Sequence, residues 1–175
     1  MIFQVYPPEI NAKWLTGHGI DSMRDAREKW RTLARNLAQA HKSIEARLPH
    51  VARAWQGPAA TQLDEVRSGY LPWLREVAED ASRTYAGMCG VIKAYELAVA
   101  RMVPVETIEL NYAMRLSLAK SSVLAPNALA KIAGLEQQYL QFWENNARVM
   151  DTYALATTYG VNKLPQWQWA PKLTK

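Results

Sequence analysis

The residue types that most often ligate metals or move protons are sparse in this sequence. There are three histidines, His18, His41 and His50, and one cysteine, Cys89. The histidine spacing matches no ligand pattern such as His-Glu-x-x-His, where two imidazoles share one helix face. Adjacent carboxylates occur at Asp64–Glu65 and Glu79–Asp80. Neighbours on a helix point in different directions, so neither pair suits joint acid–base work. No glycine-rich phosphate loop is present. Cys89 lies in "YAGMCGVIKAY", an apolar helical context that suits a small core residue, and alone it forms no intrachain disulfide. His41 and His50 read as helix-flank residues. The chain is expected not to be an enzyme, with no cofactor and no metal site.

Trp30, Tyr70, Trp73 and Tyr95 could stack on nucleic-acid bases. The net charge of +5 and pI near 9.4 raise the same question. Basic residues, however, alternate with acidic ones, as in "DAREKWR", and no run of four basic residues occurs. This is the pattern of a solvated helix face. The aromatic residues fall at heptad spacing, which points to a core or a helix–helix interface. The N-terminus lacks the basic and apolar regions of a Sec signal peptide, and no apolar run is long enough to span a membrane.

The elements that position these residues follow from periodicity. Residues 1–20, with Pro7, Pro8, Gly17 and Gly19, read as an extended arm with one short helical turn. Asp21 suits an N-cap, and Met23, Ala26, Trp30, Leu33, Leu37, Ala40 and Ile44 then form a heptad seam. The seam continues through Leu48 and Val51 to Trp55 with one slip near Pro49, where a kink is expected. Gly57 and Pro58 break the pattern, because Gly can end one helix and Pro can open the next. A second seam runs Leu63, Val66, Tyr70, Trp73, Val77, Ala81, Thr84, Met88, Val91, Tyr95, Ala98 and Met102, with a slip near Pro72. At 1.5 Å per residue each helix would span about 50–65 Å, an elongated antiparallel hairpin. Trp55, last in its seam, is expected to fill the wedge at the hairpin's apex.

Residues from Pro104 to 120 alternate like a strand and fit a helix face equally well; a helix is expected, because no second strand is available for pairing. "SSVLAPN" at 121–127 reads as a turn, and a last helix runs to about residue 157. The expected fold is all-α, an elongated helical hairpin or bundle of about five helices over residues 1–158. An irregular tail follows at 159–175, whose Trp167 and Trp169 either dock on a partner or fold back on the bundle.

The sequence resembles the PPE family of type VII (ESX) secretion substrates. The resemblance rests on Pro7-Pro8-Glu9, on Trp55-x-Gly57, on "GYLPWL" at 69–74, on "AYELAVARMVPVETIELNYA" at 94–113 and on "EQQYLQFWENNA" at 136–147. It implies a partner, a small PE protein whose two helices would complete a four-helix bundle. On the seams, Trp30, Leu33, Leu37, Tyr70, Trp73 and Val77 are the expected contacts. It also implies an EspG-type cytosolic chaperone gripping the tip around Val123, Leu124, Pro126 and Leu129, followed by export to the cell envelope or medium. The family's export signal, Tyr-x-x-x-Asp/Glu, normally lies on the PE protein, and no tyrosine here has Asp or Glu four residues later. "SSVLAPN" departs from the family's Gly-Gln-Asn-x-Pro. Two other readings compete: a stand-alone helical hairpin that homodimerises, and a basic coiled-coil module that binds nucleic acid.

Overall fold

The structure is a computed structural model describing residues 2–54, 56–121 and 127–172. Trp55, Val123, Leu124 and Pro126 lie outside the described residues. Every regular element among those described is helical: a 3₁₀ turn at Phe3–Val5, then α1 (Pro8–Thr16), α2 (Asp21–Ala54), α3 (Pro58–Glu65), a π-helical turn at Val66–Tyr70, α4 (Leu71–Arg101), α5 (Val105–Ser121) and α6 (Ala128–Asn162). The chain divides into two compact units, Met1–Ile20 with Val91–Tyr159 and Asp21–Gly90 with Gly160–Lys175.

In the first unit the expected extended arm is a packed helix. Pro7, at φ −55° and ψ 152°, is the N-cap of α1, and Pro8 opens it, where a missing amide costs no hydrogen bond. Glu9 places negative charge in the first turn, favourable to the helix dipole. Ala12 and Leu15 then join Ala98, Met102, Val149 and Met150 in one apolar cluster, with Phe3, Tyr95, Val105 and Tyr153 against it. α5 resolves the ambiguous periodicity in favour of helix. It buries Ile108 and Asn111 and leaves Leu110, Tyr112, Met114 and Leu116 exposed. Its apolar residues lie all round the helix, so neither period stood out in the sequence. α6 runs to Asn162, past the expected end near residue 157, before a turn at Lys163.

In the second unit α2 continues as α-helix through Pro49. Late α2 faces the start of the next helical run, since His41, Leu48 and Ala52 line a groove with Leu63, Leu71 and Arg75. Early α2 faces a later stretch of α4, where the charges of Arg31 and Glu28 act on Tyr85. The two runs are therefore antiparallel in this unit.

The second seam differs from the expected one, and the π turn explains why. Leu71, Leu74 and Ala78 are buried, whereas Tyr70, Trp73 and Val77 are half-buried beside them; the two patterns merge at Ala81. Pro72 has no amide to donate and crowds the carbonyl four residues back. The chain accommodates it with one wider turn, in which the Leu71 amide reaches Val66 O, five residues back. The extra residue carries the seam directly from Val66 to Leu71. The slip expected near Pro72, between Val77 and Ala81, disappears. In α2 the half-buried line runs through Ala34 and His41, and the expected Leu33 and Ala40 are exposed. Steps of three and four alternate in either phase on a helix of 3.6 residues per turn, and the contacts select the phase one residue over.

Gly57 serves as the N-cap of α3, with φ 72° and ψ −149°. This is a region open only to glycine, and it differs from the left-handed helical C-cap anticipated. An added Cβ would meet nothing within 4 Å, so backbone strain alone would oppose substitution. Gly57→Ala is expected to cost about 1–3 kcal/mol in chemical denaturation with helix content unchanged; a cost near zero would show that the turn relaxes freely.

Candidate functional site

The motif residues of the first unit converge on Asn146. This side chain is 0% exposed, and its amide makes hydrogen bonds on both sides. Nδ2 donates to Pro8 O and to Val103 O, each at 3.0 Å. Oδ1 accepts from the Val103 amide at 2.8 Å and from Asn145 Nδ2 at 3.2 Å. Asn145 also donates to Arg101 O at 2.9 Å, satisfying a carbonyl at the end of α4. One pair of asparagines in α6 thus fixes both the start of α1 and the Val103–Pro104 turn into α5. Asn11 ties the preceding residues down through bonds to Phe3 O at 3.1 Å and Tyr6 O at 3.3 Å.

Two further residues of the 136–147 stretch complete the join. Trp143 Nε1 donates to Gln4 O at 2.8 Å, and the Tyr139 hydroxyl donates to Glu9 at 3.3 Å. Burial raises the Tyr139 pKa, the Glu9 carboxylate raises it further, and Arg115 opposes the shift. The phenol therefore stays protonated and able to donate. Its share of stability is present below the ordinary phenol range and fades as alkaline pH passes the folded value. The Arg115 guanidinium lies over the Tyr139 ring at 4.9 Å, a cation–π contact.

Ala147 is fully buried where α6 meets its neighbours, so a larger side chain there would force the helices apart. Pro8, Glu9, Val103, Tyr139, Trp143 and Ala147 thus form one packing unit. This is the physical content of three of the sequence stretches singled out above. Residues 2–165 match the profile of the PPE family. The chain belongs to the PPE family.

Related PPE proteins occur in Mycobacterium tuberculosis (strain ATCC 25618 / H37Rv). PPE family protein PPE41 is 33% identical over 174 residues, covering 99% of this chain and 89% of that protein. PPE family protein PPE15 is 34% identical over 161 residues, 90% of this chain and 40% of that protein. The protein named transporter PPE51 is 32% identical over 159 residues, 90% of this chain and 42% of that protein. The chain thus spans most of the first relative and about two-fifths of the other two.

The remaining expected site residues of this PPE chain fall on two surfaces. In the second unit Trp30, Leu37, Tyr70, Trp73 and Val77 are half-buried, and Leu33 is 40% exposed. In the first unit Leu129 is 75% exposed, at the start of α6. Among the described residues no three of His, Cys, Asp and Glu converge as metal ligands. Cys89 is half-buried, and its hydrogen bond with Tyr85 is the main cause raising that phenol's pKa. No described helix is long and apolar enough to cross a membrane.

Asn146 itself was not singled out in the sequence, although paired asparagines inside an otherwise apolar helix are a readable signal for a buried polar join. Removing the amide would take the side-chain partner from both backbone groups of Val103 and the second hydrogen bond from Pro8 O, which keeps its place in the α1 ladder. Asn146→Ala is expected to lower stability by about 3 kcal/mol. Asn146→Asp should cost at least as much, because a carboxylate oxygen would face the carbonyls of Pro8 and Val103. Urea unfolding of both variants measures this, and wild-type stability of the Asp variant would show that the join is not needed.

Proposed function

We propose that this chain is the PPE subunit of a PE–PPE heterodimer, exported folded by a type VII (ESX) system with an EspG-type chaperone. The observation that carries the reading is the state of α2. It is a 34-residue helix with a continuous apolar seam, yet it holds no buried residue. An apolar helix face left half-covered along such a length marks a surface awaiting a partner. A second pair of helices laid against Trp30, Leu33, Leu37, Tyr70, Trp73 and Val77 would bury it. A standard protein–protein interface removes about 1,600 Å² from water in total, a scale that a helix pair on this hairpin can meet.

A separate surface suits the chaperone. α5 exposes Leu110, Tyr112, Met114 and Leu116, and Leu129 is exposed at the start of α6. They flank the segment that holds Val123, Leu124 and Pro126, the residues assigned to the chaperone. The lack of Tyr-x-x-x-Asp/Glu in this chain fits an export signal carried by the partner.

Co-expression tests the reading. With a PE-family protein, the chain should purify as a soluble 1:1 complex; alone it should aggregate or self-associate. A monodisperse, thermostable monomer would count against any obligate partner, and a stable homodimer would favour the stand-alone hairpin.

The two surfaces should also separate by mutation. Leu33→Arg places charge at an exposed apolar residue beside the half-covered seam and should weaken PE binding tenfold or more, about 1.4 kcal/mol or above. The Val123→Arg, Leu124→Arg double variant should keep the PE protein but lose the chaperone, and export should fall. Retention of all three proteins at wild-type stoichiometry would remove the chaperone assignment.

A further inference from the structure

The segment that follows α6 returns to helices of its own unit. A turn forms at its start, with the Lys163 amide on Gly160 O at 3.3 Å and the Leu164 amide on Val161 O at 3.1 Å. Pro165 then disfavours further helix. The Leu164 side chain lies against Gly87 of α4, 3.4 Å from where a Cβ would stand. Trp167 stacks on Trp30 of α2, with ring centroids 5.4 Å apart and planes 26° apart. Trp73 Nε1 donates to Gln168 O at 3.2 Å. The tail thus occupies Trp30 and Trp73, two of the residues assigned above to the partner.

The same surface cannot serve both. The Trp30 face that stacks on Trp167 is closed to a docking helix, and Trp73 has a single indole proton to donate. The cover is also incomplete: Trp167 stays 46% exposed despite its stack, and Trp169 is 97% exposed. A stack, a side-chain hydrogen bond and van der Waals contact are links that exchange readily, unlike a helix locked into a core.

We propose that residues 163–172 form a built-in strap, which shields the Trp30–Trp73 face in the free chain and gives way when partner helices seat there. The inference rests on the heterodimer reading and adds a control to it. A strap tethered to α6 competes at high effective concentration, so apparent partner affinity falls by the fraction of time the face is covered.

Titration of a PE-family protein against three forms of the chain, each kept dilute enough to stay monomeric, tests this: the full chain, a chain ending at Lys163, and the full chain with Trp167→Ala, which leaves α6 whole. Circular dichroism melting checks that both variants fold. Both are expected to bind about tenfold more tightly than wild type. Equal affinity would overturn the strap and leave the heterodimer intact. Weaker binding would also overturn it, making the tail part of the interface. Binding by none of the three forms would remove the heterodimer reading and the strap with it.

Discussion

A buried side-chain amide with partners on both of its ends is the constraint on which the first unit depends. Asn146 could not occupy the middle of α6 without those partners, because an unpaired buried amide would outweigh the apolar packing around it. Its geometry therefore dictates what must surround it: the first carbonyl of α1 on one side and both backbone groups of Val103 on the other. Given that join, Pro8 can start a helix only where its carbonyl meets Nδ2. The Val103–Pro104 turn is held where Asn146 meets both backbone groups of Val103 and Asn145 satisfies Arg101 O at the end of α4. The Pro-Pro-Glu residues at one end of the sequence and Asn146 near the other are two halves of one contact.

The second unit is organised by a different economy. α4 buries Leu71, Leu74, Ala78, Ala81 and Thr84, while α2, facing it, buries nothing completely. Burial on one helix and only half-burial on the other means that the hairpin contributes apolar surface beyond what this chain covers. Polar and charged residues occupy the far side of α2, so the exposed surface is amphipathic rather than uniformly sticky. Such a helix is competent to wait for a partner without being stable by its own packing. Of the tail's two tryptophans, Trp167 meets that need in part by resting on Trp30, while Trp169 stays in solvent.

Much of this was legible in the residues. The helical periods and the Gly57–Pro58 break could be read directly, because each follows from local rules of spacing and capping; the Pro-Pro-Glu and Tyr139–Trp143 stretches stood out only through the family resemblance. The misreadings share a cause. Pro72 was read as a slip in the seam, because a π turn inserts one residue without leaving a local sign of where. α1 was read as an arm, because its helix depends on Asn146, more than a hundred residues away. α5 was ambiguous, because a helix with apolar residues all round carries no period. For Trp30 the seam position was readable, whereas Trp73 lies one residue off the buried line, and the return of the tail onto both was a long-range contact.

The central claim is that α2 is incomplete without a partner, and native-state amide hydrogen exchange on the isolated chain, kept dilute enough to stay monomeric, tests it most directly. With few buried contacts, α2 should open locally at much lower free energy than the Leu71–Gly90 stretch of α4, and its amides should exchange orders of magnitude faster. Addition of a PE-family protein should bring α2 to the protection of α4. Equal protection of both helices in the isolated chain would contradict the account, since α2 would then be finished by this chain alone.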